Sequence, residues 1–201
     1  MKQLGFLVHI EKCLGCRSCE FSCKNEHGQK DTFRRNIHSF QDDTDKAGQH
    51  FHHFSMSCNH CSNPACMAVC PEMAIQKKAN GVVVIDQVKC SGCSLCVSAC
   101  PFDAISINMI TRKADKCDMC YDMQMQGEST ICVSSCPVQA IEVIDLNDPK
   151  NAHYDRAVYG FEMKKMTNPS IRFSTHHSAQ SPEKTKTLFW SKSLMNETEV
   201  D

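Results

Sequence analysis

Residues 90–101 read CSGCSLCVSACP, so four cysteines occur with the spacing C-x2-C-x2-C-x3-C and a proline follows the last of them. Three closely spaced thiolates followed by a fourth before a proline are typical of loops that bind 4Fe-4S clusters. Where a domain holds two such clusters, the fourth cysteine of each run binds the other cluster. This stretch therefore predicts a fold whose distant segments are held together by iron–sulfur clusters.

Sixteen of the 201 residues are cysteine, and they fall into four groups of four. The first and third groups share the spacing above, whereas the second reads C-x2-C-x4-C-x3-C and the fourth C-x2-C-x11-C-x3-C. Because four groups agree, the pattern predicts an iron–sulfur protein. In chain order the groups are Cys13, Cys16, Cys19, Cys23; Cys58, Cys61, Cys66, Cys70; Cys90, Cys93, Cys96, Cys100; and Cys117, Cys120, Cys132, Cys136.

Other uses of cysteine fit this spacing less well. A secreted disulfide scaffold is usually a shorter chain with a signal peptide. We expect no export signal here, because no small-residue cleavage site precedes Cys13. The paired C-x2-C motifs of structural zinc sites resemble only the fourth group. Residues 58–61 (CNHC) open like a Rieske motif, but no later C-x2-H completes it.

The ends of the last three groups repeat a six-residue motif. Each reads CPxxAI, at residues 70–75, 100–105 and 136–141. Proline fixes the turn after the cysteine and removes a backbone donor. The apolar approaches at residues 5–10 and 81–86 predict short strands before the first and third groups. Repetition of strand, ligand loop, short helix and return strand predicts an α+β fold built from dicluster ferredoxin-like halves.

Cross-ligation predicts which groups share clusters. Only 19 residues separate the second group from the third, so we expect these two to pair, which leaves the first and fourth for each other. Four 4Fe-4S clusters are expected as cofactors. The expected ligands are set 1 (Cys13, Cys16, Cys19, Cys136), set 2 (Cys58, Cys61, Cys66, Cys100), set 3 (Cys70, Cys90, Cys93, Cys96) and set 4 (Cys23, Cys117, Cys120, Cys132).

This pairing predicts one module, over residues 1–145, made of two nested dicluster halves. The inner half covers residues 55–105. The outer half joins residues 1–30 to residues 110–145. Each cluster would link segments that are far apart in sequence, which offsets the chain entropy lost on folding.

Two polar segments lie outside the module's cysteine groups. Residues 146–201 form a C-terminal extension, for which both a partner-docking strap and a disordered tail are open, with an edge strand expected at residues 171–173. Trp190 favours docking, because aromatic anchors are common at interfaces. Residues 24–57 are interpreted as a solvated loop or partner contact, including the histidines His50, His52 and His53.

Several charged side chains lie beside the cysteine groups. Arg34 and Arg35 are interpreted as a surface or partner-facing pair. We expect His60 to form a hydrogen bond to a cluster or to the backbone rather than to be a ligand. Five cations either raise cluster potentials or are simply solvated: Lys12, Arg17, Lys24, Lys89 and Lys116.

Composition excludes several classes of protein. The net charge of −1 argues against nucleic-acid binding. The apolar runs are far shorter than the roughly 20 residues of a membrane-spanning helix. No nucleophile and base pair, phosphate loop or dinucleotide fingerprint is found, so the chain is expected to transfer electrons without being a catalyst itself.

A set of longer motifs extends from Gly5 to about Phe173. They are CLGCRSCEFSCK (13–24), SCNHCSNPACMAVCP (57–71), GVVVID (81–86), CSGCSLCVSACP (90–101), KCDMCYD (116–122) and ICVSSCPVQAI (131–141), with TFRR at 32–35 and NPSI at 168–171. With these motifs the chain resembles the iron–sulfur electron-transfer subunits of molybdopterin oxidoreductases, in particular those of anaerobic dimethyl sulfoxide reductases.

The resemblance implies a relay. In that family, electrons pass from a quinol-oxidising membrane anchor through the iron–sulfur subunit to a molybdopterin catalytic subunit. Related nitrate reductase subunits lack the cysteine that corresponds to Cys96 and hold a 3Fe-4S cluster, so its presence here implies four 4Fe-4S clusters. The resemblance also implies membrane association through partners, on a side left open. A related polysulfide, tetrathionate, nitrate or arsenate reductase subunit and a free-standing polyferredoxin remain alternatives.

Overall fold

The computed structural model describes residues 2–30, 32–41, 51–158 and 160–175. In chain order the elements are β1 (Leu4–His9), α1 (Ser18–Glu26), β2 (Arg35–Gln41), β3 (Phe51–Ser57), α2 (Ala65–Ala68), β4 (Ile75–Lys77), β5 (Val83–Ile85), α3 (Leu95–Ala99), β6 (Ser106–Ile107), β7 (Ala114–Asp115), α4 (Tyr121–Met125), α5 (Ile131–Ser134), β8 (Ile141–Asp145), a short 3-10 helix (Pro149–Asn151) and β9 (Ile171–Ser174). The mixed helix and strand content agrees with the predicted α+β class.

The first strand joins the two ends of the described chain. β1 pairs antiparallel with β8 and parallel with β9, and thus forms the centre of a three-stranded sheet. Gly5 is required there, because a Cβ at this position would lie 2.2 Å from the Ser170 carbonyl oxygen. The strand expected at residues 171–173 is confirmed, and it lies at the sheet edge.

The three CPxxAI repeats adopt one local structure. In each, the second x residue has positive φ: 47° at Met73, 46° at Asp103 and 51° at Gln139. The N–H of the same residue donates to the carbonyl of the preceding cysteine, which closes a turn. Return strands β4, β6 and β8 follow. The repeat therefore ends a helix, reverses the chain and starts a strand, as the sequence predicts.

The polar segment between the first two groups is not simply a loop. β2 and β3 form an antiparallel hairpin that pairs Arg35 with Ser57 at one end, so the interpretation of residues 24–57 as a loop is wrong for these strands. In β3, four consecutive residues at the end of the strand (Phe54, Ser55, Met56 and Ser57) are all buried, so this end of the hairpin is packed into the core. His50 lies outside the described residues.

The start of the C-terminal extension lies in the core. Phe161 and Phe173 are buried, with ring centroids 5.2 Å apart. Phe161 stacks on Phe102 of the third cysteine group at 5.6 Å, and Phe173 meets Phe54 of the hairpin edge-on at 5.8 Å. These aromatic contacts join the extension to both the hairpin and the cysteine loops. Trp190 and the rest of residues 176–201 lie outside the described part of the chain.

Two helix pairs position the cysteines. α1 packs against α5, and α2 packs against α3. Each pair brings together the helices of two different cysteine groups. Over the residues that the structure describes, none of the helices has both the length and the apolar character needed to cross a bilayer.

Candidate iron–sulfur sites

All four cysteines of set 1 line one cavity, although Cys136 is far from the others in sequence. Hydrogen-bond donors face the sulfurs: the Ser55 hydroxyl lies 3.2 Å from Cys19 Sγ, and the Ala140 N–H donates to Cys136 Sγ at 3.2 Å. Cys16 is exposed to solvent. The structure thus brings these four cysteines together, with one of them at the surface.

The four cysteines of set 2 line a second cavity, together with Asn59 and Thr167. Burial raises the pKa of Cys61 and that of Cys66 to about 12. A hydrogen bond from Thr167 lowers the pKa of Cys61 in opposition to this effect. The Asn59 side-chain nitrogen is buried and has no hydrogen-bond partner among the described residues. A donor therefore lines this cavity without a protein acceptor.

The four cysteines of set 3 line a third cavity. Cys93 is exposed, whereas Cys96 is buried. The tight turn of the ligand loop depends on Gly92, which has a φ of 75°. A Cβ there would lie 2.2 Å from the Arg112 carbonyl oxygen, so only glycine fits.

All four cysteines of set 4 are buried, and their thiols influence one another electrostatically. Burial raises the pKa of Cys23 to about 12 and that of Cys120 to about 11, and the neighbouring Cys132 raises both further. The Met119 N–H donates to Cys117 Sγ at 3.3 Å. These buried thiols are therefore neighbours, on α1, on α5 and in the turn before α4.

The C-x3-C spacing explains how one helix serves two sets. Residues four apart in a helix lie one turn apart on the same face. In α1 this places Cys19 toward set 1 and Cys23 toward set 4. The helix that packs against α1 does the converse: Cys132, in α5, belongs to set 4, and Cys136, just after α5, belongs to set 1. The inner helices α2 and α3 relate sets 2 and 3 in the same way.

The chemistry of these sites fits 4Fe-4S clusters. All sixteen cysteines are free thiols, and each set offers four, which is the donor number and kind that such a cluster takes. Backbone and hydroxyl donors already point at several sulfurs, and they would stabilise the thiolate form that binds metal. The unpartnered Asn59 amide beside set 2 would find its acceptor in a cluster sulfur.

The interpretation of Arg34 and Arg35 as a surface pair is wrong. Arg34 is largely buried and forms ion pairs with Asp115 at 2.6 Å and with Asp118 at 3.1 Å. Arg35 is only 1% exposed. In a sequence, two adjacent arginines suggest an exposed site. Nothing nearby in the chain indicates that Arg34 has the carboxylates of Asp115 and Asp118 as partners, or that Arg35 has thiols as neighbours.

The cations beside the ligand loops differ in environment. Lys12, Arg17 and Lys89 are exposed, as solvated charges would be. Lys116 is only 3% exposed, and its ammonium donates to the carbonyl oxygens of Val83 and, at 3.0 Å, Cys117. Lys24 is intermediate and lies over the Phe33 ring.

Lys77 was not indicated by the sequence. Its ammonium donates to the carbonyl oxygens of Cys61 at 3.3 Å and Ser62 at 2.9 Å, so it holds the ligand loop of set 2. Only its pairing in β4 brings it there, and that contact has no local sequence signal.

His60 makes a backbone hydrogen bond, as one of the two expected options. The Val83 N–H donates to His60 Nδ1 at 3.0 Å, so the ring proton resides on Nε2. Burial lowers the pKa of His60 well below its ordinary value, and the nearby cations Lys116 and Arg35 lower it further. The ring is therefore neutral at physiological pH.

Comparisons with known proteins agree with this geometry. The 4Fe-4S dicluster domain family matches residues 49–146. A chain of the anaerobic dimethyl sulfoxide reductase of Escherichia coli (strain K12) is 36% identical over 179 residues, which cover 84% of this sequence and 87% of that protein. A tetrathionate reductase subunit of Salmonella typhimurium (strain LT2) is 39% identical over 119 residues, or 58% of this sequence and 47% of that protein. The thiosulfate reductase electron transfer subunit PhsB of Salmonella typhi is 38% identical over 122 residues, or 59% of this sequence and 64% of that protein.

The cysteine-lined sites and the dicluster match define the class of protein: an iron–sulfur protein with a 4Fe-4S dicluster domain. Within that class, the protein belongs to the family of iron–sulfur subunits that includes the matching chain of anaerobic dimethyl sulfoxide reductase. The resemblance seen in the sequence motifs is therefore confirmed.

Proposed function

We propose that this chain is the electron-transfer subunit of an anaerobic respiratory reductase of the dimethyl sulfoxide reductase type. It carries four 4Fe-4S clusters and relays electrons between a quinol-oxidising membrane anchor and a molybdopterin catalytic subunit. The proposal rests above all on one observation: three cavities are each lined by one predicted set of four cysteines. The four thiols of the remaining set are close enough to affect one another's pKa. The proposed ligands are sets 1 to 4 as defined above.

When bound, each cluster supplies one-electron redox chemistry in which no bond to a substrate is formed or broken. The chain's own residues bind the clusters and set their surroundings. Cysteines of two groups hold each site, and the surrounding core buries at least one ligand of every set. Buried cations such as Arg35 and Lys116 stabilise the added negative charge of the reduced state. The isolated protein is therefore expected to have no reductase activity.

The contacts between sets support a linear path in the order 1, 4, 2, 3. Helices α1 and α5 connect sets 1 and 4, and α2 and α3 connect sets 2 and 3. Lys116 links the two pairs, because it contacts the Cys117 carbonyl and its charge lowers the pKa of the Cys66 thiol in opposition to burial. Sets 1 and 3, at the two ends, contain the two exposed cysteines, Cys16 and Cys93.

The same contacts support two nested dicluster halves in one module over residues 1–145. β1, α1, α5 and β8 would form the outer half, around the inner half of residues 55–105. Residues 146–201 would be an extension that, past the aromatic contacts described above, meets a partner subunit. Through these partners the complex would associate with a membrane.

A related sulfur oxyanion reductase is the second candidate, because subunits of tetrathionate and thiosulfate reductases are similar over more than half of this chain. The electron-transfer role would be the same, and only the catalytic partner's substrate would differ.

Isolation of the tagged full chain under anaerobic conditions from its native host tests the proposal. We expect a large molybdopterin protein and an integral membrane protein to copurify, and the complex to reduce dimethyl sulfoxide with a quinol analogue. Preferential reduction of tetrathionate or thiosulfate would favour the second candidate. A cluster-loaded monomer without partners would overturn the subunit proposal in favour of a free-standing polyferredoxin.

A further inference from the structure

The charges of two adjacent arginines at the start of the hairpin, Arg34 and Arg35, are balanced in different ways. Arg34 is paired with two carboxylates, those of Asp115 and Asp118. Arg35 is more deeply buried, and within the described ranges no carboxylate lies at ion-pair distance from it. A buried guanidinium without a counter-ion is strongly unfavourable, so something else must balance its charge.

Neutral hydrogen bonds hold the Arg35 guanidinium in place. Its Nη1 donates to the Ser55 hydroxyl at 3.0 Å and its Nη2 to the Ser57 hydroxyl at 3.0 Å. The Phe6 ring lies below it, 4.3 Å from the ring centroid to Cζ. The same Ser55 hydroxyl lies 3.2 Å from Cys19 Sγ, so one hydroxyl connects the guanidinium to a ligand of set 1.

Arg35 begins β2, which packs against α1, the helix that carries Cys19 of set 1 and Cys23 of set 4. Burial works against its charge, yet nearby cysteines raise the pKa of Arg35 when they are in the thiolate form that binds metal; these are Cys132, Cys117, Cys19 and Cys23. In return, the Arg35 charge lowers the pKa of Cys19, Cys23 and Cys117 in opposition to burial. One of these residues belongs to set 1 and three belong to set 4.

We infer that Arg35 is a fixed countercharge shared by sets 1 and 4, and that it raises the reduction potentials of those two clusters relative to a neutral residue. The inference rests on the proposed function, because it requires clusters at these sites. An oxidised 4Fe-4S core with four thiolates carries a charge of about −2, and one electron makes it about −3. A nearby fixed positive charge therefore stabilises the reduced form more than the oxidised form. Arg35 acts on the ligands and does not bind iron, so it is a positioning residue.

Arg35→Gln and Arg35→Lys test the inference in the anaerobically purified full chain. Redox titrations followed by electron paramagnetic resonance would give the midpoints of the four clusters, assigned with single Cys→Ser variants of each set. We expect Arg35→Gln to lower the two midpoints of sets 1 and 4 and to leave those of sets 2 and 3 unchanged. Arg35→Lys should largely restore them, because it keeps the charge.

Arg172→Gln is the matched control. Arg172 lies in β9 and donates to the Ile171 carbonyl; burial lowers its pKa, and so does the nearby charge of Arg156. None of the four midpoints should move in this variant. Iron and sulfide content measured on every sample separates the two levels of the account: a wild-type chain without clusters would refute the proposed function itself.

With clusters present, an unchanged set 1 and set 4 midpoint in Arg35→Gln, or an equal shift of all four, would overturn the inference. If Arg35→Gln binds no iron, Arg35→Lys decides. If Arg35→Lys binds its full iron, with all four midpoints close to those of the wild type, a role of the Arg35 charge is supported. A uniform shift of the four midpoints, or complete loss of iron, would refute it.

Discussion

In the proposed order 1, 4, 2, 3, the terminal sets, 1 and 3, differ from the middle sets, 2 and 4, in the exposure of their cysteines. Each terminal set has one exposed cysteine, with an exposed apolar residue next to the site: Leu14, 66% exposed, at set 1 and Leu95, 51% exposed, at set 3. The middle sets have no exposed cysteine. Each terminal site therefore has a ligand that another protein could reach, whereas the cysteines of the middle sites are buried or partly buried.

The negative charge of a buried thiolate has to be balanced by a nearby positive charge. The buried cations lie beside the cysteine sets that need this balance. Lys116 lies buried between sets 2 and 4, and Arg35 lies between sets 4 and 1. The exposed Lys89 near set 3 faces solvent. The comparison indicates that sets 1, 2 and 4 have an internal cation beside them, whereas the cation near set 3 is screened by solvent.

The largest expected effect comes from removing a ligand at a buried site. Cys117→Ser should lose the set 4 cluster, about a quarter of the iron, because a buried site offers no water as a substitute ligand. The unfolding temperature should fall by roughly 5 °C or more. Iron analysis and thermal unfolding measure both quantities. Cys16→Ser, at an exposed position of set 1, is the control, and its iron content and unfolding temperature should fall less. Equal losses of iron and of thermal stability in the two variants would contradict the distinction between middle and terminal sets.

A second substitution tests the link between the two kinds of set. Cys136 lies just after α5, close in sequence to Cys132 of set 4, but it lines the cavity of set 1. Cys136→Ser should therefore change the electron paramagnetic resonance signal of the set 1 cluster. Loss of the set 4 signal instead would show that the outer groups are not cross-ligated as proposed.

A buried cation should matter more than an exposed one. Lys116→Met should lower the midpoints of sets 2 and 4 by about 50–100 mV, since a charge–charge interaction of about 2 kcal/mol at low dielectric corresponds to this range. Lys89→Met should cause little change, because solvent and salt screen its charge. Redox titration of both variants measures the difference, and comparable shifts would argue that burial is irrelevant to these potentials.

The smallest effect concerns one hydrogen bond. Asn59→Leu removes the buried amide that lines the set 2 cavity, and the set 2 midpoint should fall by about 40 mV, the equivalent of roughly 1 kcal/mol. Asn63→Leu alters an exposed residue of the same loop and serves as the control. A set 2 midpoint that stays in place in Asn59→Leu would mean that this amide does not reach a cluster sulfur.

The cysteine pattern predicted much of this molecule because its information is local. Spacing within each group and the CPxxAI repeats specified the ligand loops, the turns and the return strands. The expected long-range pairing came from the cross-ligation rule and from the short separation of the second and third groups, and it stays a prediction.

The features that sequence reasoning missed depend on contacts between distant segments. The hairpin of β2 and β3 was hidden by its polar composition, since β3 buries the serines Ser55 and Ser57 as well as Phe54 and Met56. The burial of Arg35 becomes understandable only when thiols from α1, α5 and residue 117 surround it. The insertion of Phe161 and Phe173 into the core likewise depends on aromatic partners that are far away in sequence.

Iron, acid-labile sulfide and zinc analysis of the anaerobically purified full chain tests the central claim most directly. Four sites of four thiols predict about sixteen iron and sixteen sulfide per chain, with negligible zinc. About eight of each would mean that only two of the four sets hold clusters, and zinc with little iron would contradict the assignment of these sites to iron–sulfur clusters.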